Sequence, residues 1–394
     1  MSVEDCDVLV VGGGPAGSSC ALELRRRGLA VTVLDRSPFP RDKICAGWIT
    51  PQIIASLRLD LAHYARSHVL QPLHGFNSGL VGGRSVEVRY GEPISYGIRR
   101  CEFDDYLLRR SGARLRLGQA LESAVFAGGA WCVNDSIRAR WLVGAGGHFC
   151  PVARLLGADL GRSERAISAQ EIELELSEAQ LRRCRVEPLQ AELYFCADFE
   201  GYGWCVRKGA FLNVGLGRTD SHQLGAAVQS FWDWLCSRGR IPTDLEPRFK
   251  GHAYLQYGVS RRPLLGEQAL LIGDAAGLAY DLSGEGIRPA VESGLLAAAA
   301  IARAAAGEGA RALAIYRDRI VQRFGRRAAA ATPPPGAAGS LQPASIGARW
   351  RRRLARLLVS NGTFARHVIL DRNFLHRHAA ALQLPELAGP IARS

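Results

Sequence analysis

Lysine is almost missing from this chain: its 394 residues contain Lys43, Lys208 and Lys250 and no other, so nearly all of the 50 basic residues are arginine. None of the ten cysteines (6, 20, 45, 101, 132, 150, 184, 196, 205, 236) forms a C-x-x-C pair. A zinc site, a dithiol site or an on-board iron–sulfur cluster therefore lacks local support, and no metal is expected. Scattered cysteines read as small buried hydrophobes in a reducing compartment. A long apolar run near the start is missing too. Glu4, Asp5 and Asp7 surround the beginning of a short run, Val8 to Val11, that meets glycine at once. Neither a secretory signal nor a membrane span fits that pattern, and the cytoplasm is the expected place. No nucleic-acid motif or basic-aromatic stripe occurs, so nucleic acid is not an expected partner. The net charge of +13 instead suits an anionic membrane surface, with peripheral attachment, or an acidic carrier or electron-donor protein.

What is present supports a large core. A hydrophobic content of 47% with 22% charged residues, over this length, predicts about two domains or one composite one.

The run Asp7-Val8-Leu9-Val10-Val11 reads as a strand buried on both faces of a parallel sheet, and it leads into Gly12-Gly13-Gly14-Pro15-Ala16-Gly17. In this G-x-G-x-x-G pattern Gly12 allows the tight turn, Gly14 lets the backbone approach a pyrophosphate, and Gly17 lets the next helix pack on the strand. Ser18 to Gly28 supplies that helix, whose N-terminal amides and dipole would face the phosphates. A second buried strand, Ala30 to Leu34, ends at Asp35 and Arg36. An acid there accepts from a ribose 2'-hydroxyl and disfavours a 2'-phosphate.

Three further segments resemble FAD-dependent group A monooxygenases and their reductase relatives. The strand Ala269 to Ile272 runs into Gly273-Asp274-Ala275-Ala276-Gly277, similar to the signature whose aspartate binds the ribityl chain of FAD. Leu282-Ser283-Gly284-Glu285-Gly286-Ile287 follows, ahead of an apolar helix whose positive end would stabilise charge on a reduced flavin. Arg100-Cys101-Glu102-Phe103-Asp104 with Leu107 is similar to the R-x-x-F-D-x-x-L segment, in which the arginine reaches FAD. Trp141 to Gly147, then Pro151-Val152-Ala153-Arg154, resembles the third signature, but Gly146 stands where an acid is expected and Cys150 where a serine is. That stretch is tied to NADPH in the family, so NAD(P)H as electron donor is in question.

Within this group the chain resembles the geranylgeranyl reductase and FixC-like family. The loop Lys43-Ile44-Cys45-Ala46-Gly47, continuing to Pro51, is similar to that family's K-x-C-x-G-x-x-x-P stretch, which lies over the isoalloxazine ring. Cys45 would then pack on the ring or relay a proton, and Lys43 and Ala46 would lie beside the cofactor. Tyr202-Gly203-Trp204-Cys205-Val206-Arg207-Lys208-Gly209 resembles the family's Y-x-W-x-F-P-K-G motif, with Val206 and Arg207 replacing phenylalanine and proline. Its aromatic pair lines a lipid cavity in the family, although such a pair can also be one packed face of a sheet. Cys45, Tyr202 and Trp204 are the candidate catalytic-pocket residues.

The resemblance implies a Rossmann-like α/β FAD-binding domain of the glutathione-reductase-like type, as in p-hydroxybenzoate hydroxylase, with an inserted antiparallel-sheet substrate domain and a C-terminal helical segment. The FAD domain takes residues 1–70, 95–160 and 255–330, the sheet 71–94 and 161–254, and a linker with helical region 331–394. Glu171 to Leu176 alternates like a half-exposed strand, with Gln190 to Cys196 and Phe211 to Leu216 as expected neighbours. Ser123 to Val133 reads as a hairpin turning at Gly128-Gly129. The helix after Gly286 is expected to continue to about Arg327. Pro333 to Pro335 then break the chain, and no chemical motif is visible beyond them. Arg349 to Leu358 forms a basic amphipathic pattern that suits an anionic membrane and suits packing on the body equally.

The expected activity is reduction of a C=C bond in an isoprenoid or other apolar lipid-like substrate at the flavin N5. A flavin-hydroperoxide hydroxylase of an aromatic or polyketide substrate, and a quinone-linked electron-transfer flavoprotein, share the same FAD motifs.

Overall fold

The structure, a computed structural model, describes residues 3–160, 164–327, 359 and 361–384. The proline run and the basic segment 349–358 lie outside the described residues.

Val8, Leu9 and Val10 are fully buried because the strand Glu4–Val11 runs between two parallel neighbours, Val31–Asp35 and Ile137–Gly144. Helices cover both faces of such a sheet, which is why the run is apolar without alternation. The strand order is Leu265–Gly266, Ala269–Leu271, Ile137–Gly144, Glu4–Val11, Val31–Asp35, Arg114–Leu117. The hairpin Ala124–Ala127 and Ala130–Val133 turns at Gly128 and Gly129, whose φ angles of 57° and 74° match a two-residue hairpin turn.

The helix Ile287–Arg303 packs along the helix Pro15–Arg26, and a Cβ on Gly294 would stand 2.4 Å from the Ala16 carbonyl oxygen. Only glycine permits that approach. The stretch Ile287–Glu308 is long and apolar enough to cross a membrane by length and composition, yet its apolar surface is spent on this core, with 67% of the window buried. The expected single helix to Arg327 does not form. Its regular part ends at Arg303, a wider turn spans Ala304–Glu308 with Gly307 at φ 107°, and a second helix, Gly309–Phe324, folds back. There Tyr316 donates to the Leu271 carbonyl at 2.7 Å.

A second sheet of seven strands runs Lys250–Tyr254, Ile167–Glu175, Phe211–Arg218, Gly201–Lys208, Gln190–Phe195, Gly75–Leu80, Ser85–Arg89. Phe211–Arg218 does flank Ile167–Glu175, but the other flank is Lys250–Tyr254, and Gln190–Phe195 pairs in parallel with Gly75–Leu80. The sheet is thus mixed, because two segments more than a hundred residues apart pair in parallel near one of its edges, a pairing no local pattern announces. The alternation at Glu171 also misleads. Ile172 faces the helix Leu224–Ser237, while Glu171, only 6% exposed, lies on the face that carries Trp204. Both faces are covered over Ile167 to Ile172, and only the end at Glu175 is exposed. A small third sheet, Trp48–Ile49, Ser95–Ile98 and Leu70–Leu73, bridges the two large ones.

Candidate functional site

A cavity of about 860 Å³ opens where the parallel strands end, between them and the seven-stranded sheet. Strand ends at a parallel sheet are the usual place for a nucleotide. Gly12, Gly14, Pro15 and Ala16 form one wall, and Gly284, Gly286 and Ile287 another. Gly17 and Gly273 do not line it. A Cβ at Gly17 would fall 1.9 Å from the Gly12 carbonyl oxygen, and one at Gly273, whose φ is 57°, would fall 2.9 Å from the Ala16 Cβ. Both glycines serve packing behind the wall.

Two helices therefore begin at the same cavity, at Pro15 and at Ile287, and neither carries a side-chain cap. Their first N–H groups have no partner inside the helix and concentrate positive potential. This is the property that a pyrophosphate and the electron-rich edge of a reduced flavin require, so the residues fit FAD. Asp35 is buried, and its carboxylate accepts the Gly13 N–H at 2.7 Å and the Ser37 N–H at 2.9 Å. It thereby holds the glycine turn against the second strand, with lone pairs left for a hydroxyl. Arg36 follows it at the rim of the cavity.

Charge gathers at the middle of the cavity. Lys43 Nζ lies 2.7 Å from His252 Nε2, which stands 3.7 Å from Asp274 Oδ2. Burial would raise the Asp274 carboxyl, but the His252 hydrogen bond and the Lys43 and Arg100 cations hold it at about 2. Burial lowers the Lys43 ammonium to about 8 in spite of Asp274. Arg100 makes a bidentate pair with Asp104, both bonds 2.8 Å, and meets the Cys45 sulfur. The Cys45 loop is further held by Asn213, whose Nδ2 donates to the Cys45 carbonyl at 3.3 Å.

The opposite wall is aromatic. Tyr202 and Trp204 line the cavity with ring centres 6.1 Å apart, together with Trp48, Tyr254 and Ala46. The Trp204 indole N–H donates to Asn213 Oδ1 at 2.7 Å, and the Tyr202 hydroxyl donates to the Ser283 carbonyl. The structure thus brings Cys45, Tyr202 and Trp204 to one cavity with the glycine turn, Arg100 and Asp274.

Several residues of this neighbourhood escaped the sequence reading. Burial pushes Glu171, beneath Trp204, up to about 7. Its place in an alternating strand suggested solvent. His252 stands on an edge strand without any motif around it. Past the proline run, Phe374 packs edge-on against Tyr202 at 5.2 Å, and the carbonyls of His376, Ala379 and Ala380 accept from Arg288. The C-terminal segment, which carries no recognisable pattern, packs behind the wall. The odd pair at positions 146 and 150 also proves complementary. The Gly146 N–H points to Cys150 Sγ at 3.4 Å, and a Cβ at 146 would meet Cys150 Cα and Sγ at 3.3 Å.

Comparison with known proteins agrees with this geometry. The model of the FAD dependent oxidoreductase family matches residues 7–89. The menaquinone reductase of Mycobacterium tuberculosis is 31% identical over 319 residues, 76% of this chain and 77% of that protein. The geranylgeranyl diphosphate reductase of Rhodobacter capsulatus is 26% identical over 326 residues, covering 75% and 74%. A geranylgeranyl bacteriochlorophyll reductase-like protein of Thermoplasma acidophilum superposes with a TM-score of 0.72 at 20% identity, over 96% of this chain and 99% of that one, and so shares the fold. With the paired helix starts, the buried aspartates and the relatives all agreeing, the chain belongs to the geranylgeranyl reductase-like family of FAD-dependent oxidoreductases.

Proposed function

We propose that this enzyme reduces a carbon–carbon double bond in an isoprenoid chain. The aromatic wall of Tyr202, Trp204 and Trp48 facing the Cys45 loop carries the reading. Such a wall suits an unbranched or methyl-branched hydrocarbon, which offers few hydrogen bonds, and the relatives named for menaquinone and geranylgeranyl substrates support it.

In this reading the Gly12 to Gly17 turn and the Pro15 helix start hold the pyrophosphate. Asp35 and Arg36 flank the adenosine ribose, Asp274 takes the ribityl hydroxyls, and Gly284 to Ile287 back the ring. Lys43, Cys45, Ala46 and Arg100 close over it. Bound FAD supplies hydride exchange at N5. The protein's own part is to orient the alkene between Cys45 and Tyr202, keep bulk water out and hold a proton nearby.

As electron donor we propose an acidic carrier protein in preference to NAD(P)H. Position 146 lacks the family's carboxylate and is crowded by Cys150, and the net charge of +13 favours an acidic partner or an anionic membrane surface.

The test reduces the bound flavin chemically without oxygen and adds geranylgeranyl diphosphate or a polyprenyl quinone. Return of the oxidised flavin spectrum, with a product heavier by one dihydrogen, is the expected result. A hydroxylated product formed only when oxygen is admitted would overturn the reading.

A further inference from the structure

Glu285 sits between the two glycines of the loop that opens the helix Ile287–Arg303. It lines the cavity, and its side chain is only 6% exposed. Oε1 accepts the Arg288 backbone N–H at 3.3 Å, whereas the buried Oε2 has no hydrogen-bond partner among the described residues. A buried carboxylate oxygen without a donor is costly, so the loop favours the protonated acid. Burial pushes Glu285 up to about 7, with the Glu292 charge adding to it and Arg288 opposing.

Two histidines lie behind this carboxyl, the buried His376 and the exposed His378. Oε2 faces His376 Nε2 at 3.9 Å. The same nitrogen lies 3.4 Å from Ser283 Oγ, which accepts the Glu285 N–H at 3.2 Å. Burial, Arg288 and His378 hold His376 at about 3, so its ring is neutral and has one donor and one acceptor nitrogen. Its ring stacks on Tyr280 at 3.7 Å and stands 6.0 Å from that of the exposed His378. On the cavity side, Tyr202 reaches the Ser283 carbonyl. The groups facing Glu285 are thus Arg288 and Glu292 on the helix that follows it, Tyr280 and Ser283 before it, Tyr202 on the sheet, and His376 with His378 behind. Burial keeps Tyr202 and Tyr280 protonated well above the neutral range.

We propose that Glu285 protonates the substrate double bond and that His376, with Ser283, returns the proton from solvent. This deepens the reductase reading and rests on it. The alkene gains a hydride at one carbon, supplied by the reduced flavin of the family's activity. At the other carbon a C–H bond forms as the Glu285 O–H bond breaks. The carboxylate left behind takes a proton from water by way of His378 and His376, which returns the acid to its starting state.

Two measurements on the FAD-loaded enzyme test this. Infrared titration of the wild type should show protonated-carboxyl absorption that fades as pH rises through about 7, and Glu285→Gln should remove one component of it while leaving that of Glu171. In anaerobic single turnovers with geranylgeranyl diphosphate, the wild-type rate should fall over the same range. Glu285→Gln should lose about 100-fold or more, the scale of general acid catalysis, and should lose that pH limb while retaining FAD. With excess chemical reductant to allow repeated turnovers, His376→Gln should keep the first turnover at low pH and slow the later ones. A Glu285→Gln enzyme with the wild-type rate and pH limb overturns the proposal, as does neutral-range carboxyl absorption that Glu285→Gln leaves unchanged. Should no alkene reoxidise the wild type while the band still titrates, the reductase reading fails, and the proposed destination of the proton fails with it.

Discussion

Lys43 Nζ and His252 Nε2 meet at 2.7 Å across 209 residues of sequence, and with Asp274 they join three separate segments at the centre of the cavity. The loop after the second parallel strand, the edge strand Lys250–Tyr254 and the Gly273-Asp274 turn are tied together by charge. The two sheets are thereby coupled at the point where cofactor and substrate would meet.

That coupling has a pH signature. Burial lowers Lys43 from its ordinary 10.5 to about 8, so between those values the unfolded chain holds a proton that the folded chain has released. Stability therefore rises as pH increases through this window, and below it both states are protonated and the burial cost is borne in full. Lys43→Met should flatten the rise between pH 8 and 10.5, read from denaturant midpoints. A variant whose midpoints climb as steeply as the wild type's would refute the assignment.

Gly17→Ala should damage the cofactor site without touching a cofactor-facing atom. The added methyl would lie 1.9 Å from the Gly12 carbonyl oxygen, so the helix Pro15–Arg26 must move off the turn. Overpacking of this kind costs about 1–3 kcal/mol or more. The expected outcome is a lower melting temperature and a purified protein with less flavin per chain. An equally yellow, equally stable variant would show that the turn can yield.

Arg288→Met tests the C-terminal wall. Arg288 is fully buried, pairs with Glu292 at 2.9 Å and donates to the carbonyls of His376, Ala379 and Ala380. Removing it leaves those carbonyls without this donor, while Glu292 retains Arg323 at 2.8 Å. Each buried carbonyl left unsatisfied costs about 1–3 kcal/mol. Limited proteolysis should cut within residues 361–384 at protease levels the wild type resists, and the Michaelis constant for the apolar substrate should rise. Wild-type protease resistance would mean that Phe374 and its neighbours hold the segment without the arginine.

The nucleotide half of the site was legible because its signals are local. Val8 to Val11, Gly12 to Gly17 and Asp35 follow one another within a single strand, helix, strand unit, where steric demands act on neighbouring residues. The Gly273-Asp274 turn and the Gly284 to Gly286 loop are legible for the same reason. The substrate half was less so. Glu171 follows a solvent-like alternation and is buried, because strand periodicity reports which residues share a face, not what covers that face. Glu285 stood in full view between two glycines, and only its missing hydrogen-bond partner and the nearby His376 mark it out.

By itself, then, the chain's sequence determined a parallel-sheet nucleotide fold, FAD chemistry and an aromatic pocket pair at Tyr202 and Trp204, since short-range sterics and family motifs are written in contiguous residues. Tertiary structure decided the rest. It placed Gln190–Phe195 beside Gly75–Leu80, set Lys43 against His252, and packed Phe374 behind Tyr202. Those contacts join residues about a hundred or more positions apart, and their energies come from burial and charge pairing that exist only once the chain has closed on itself.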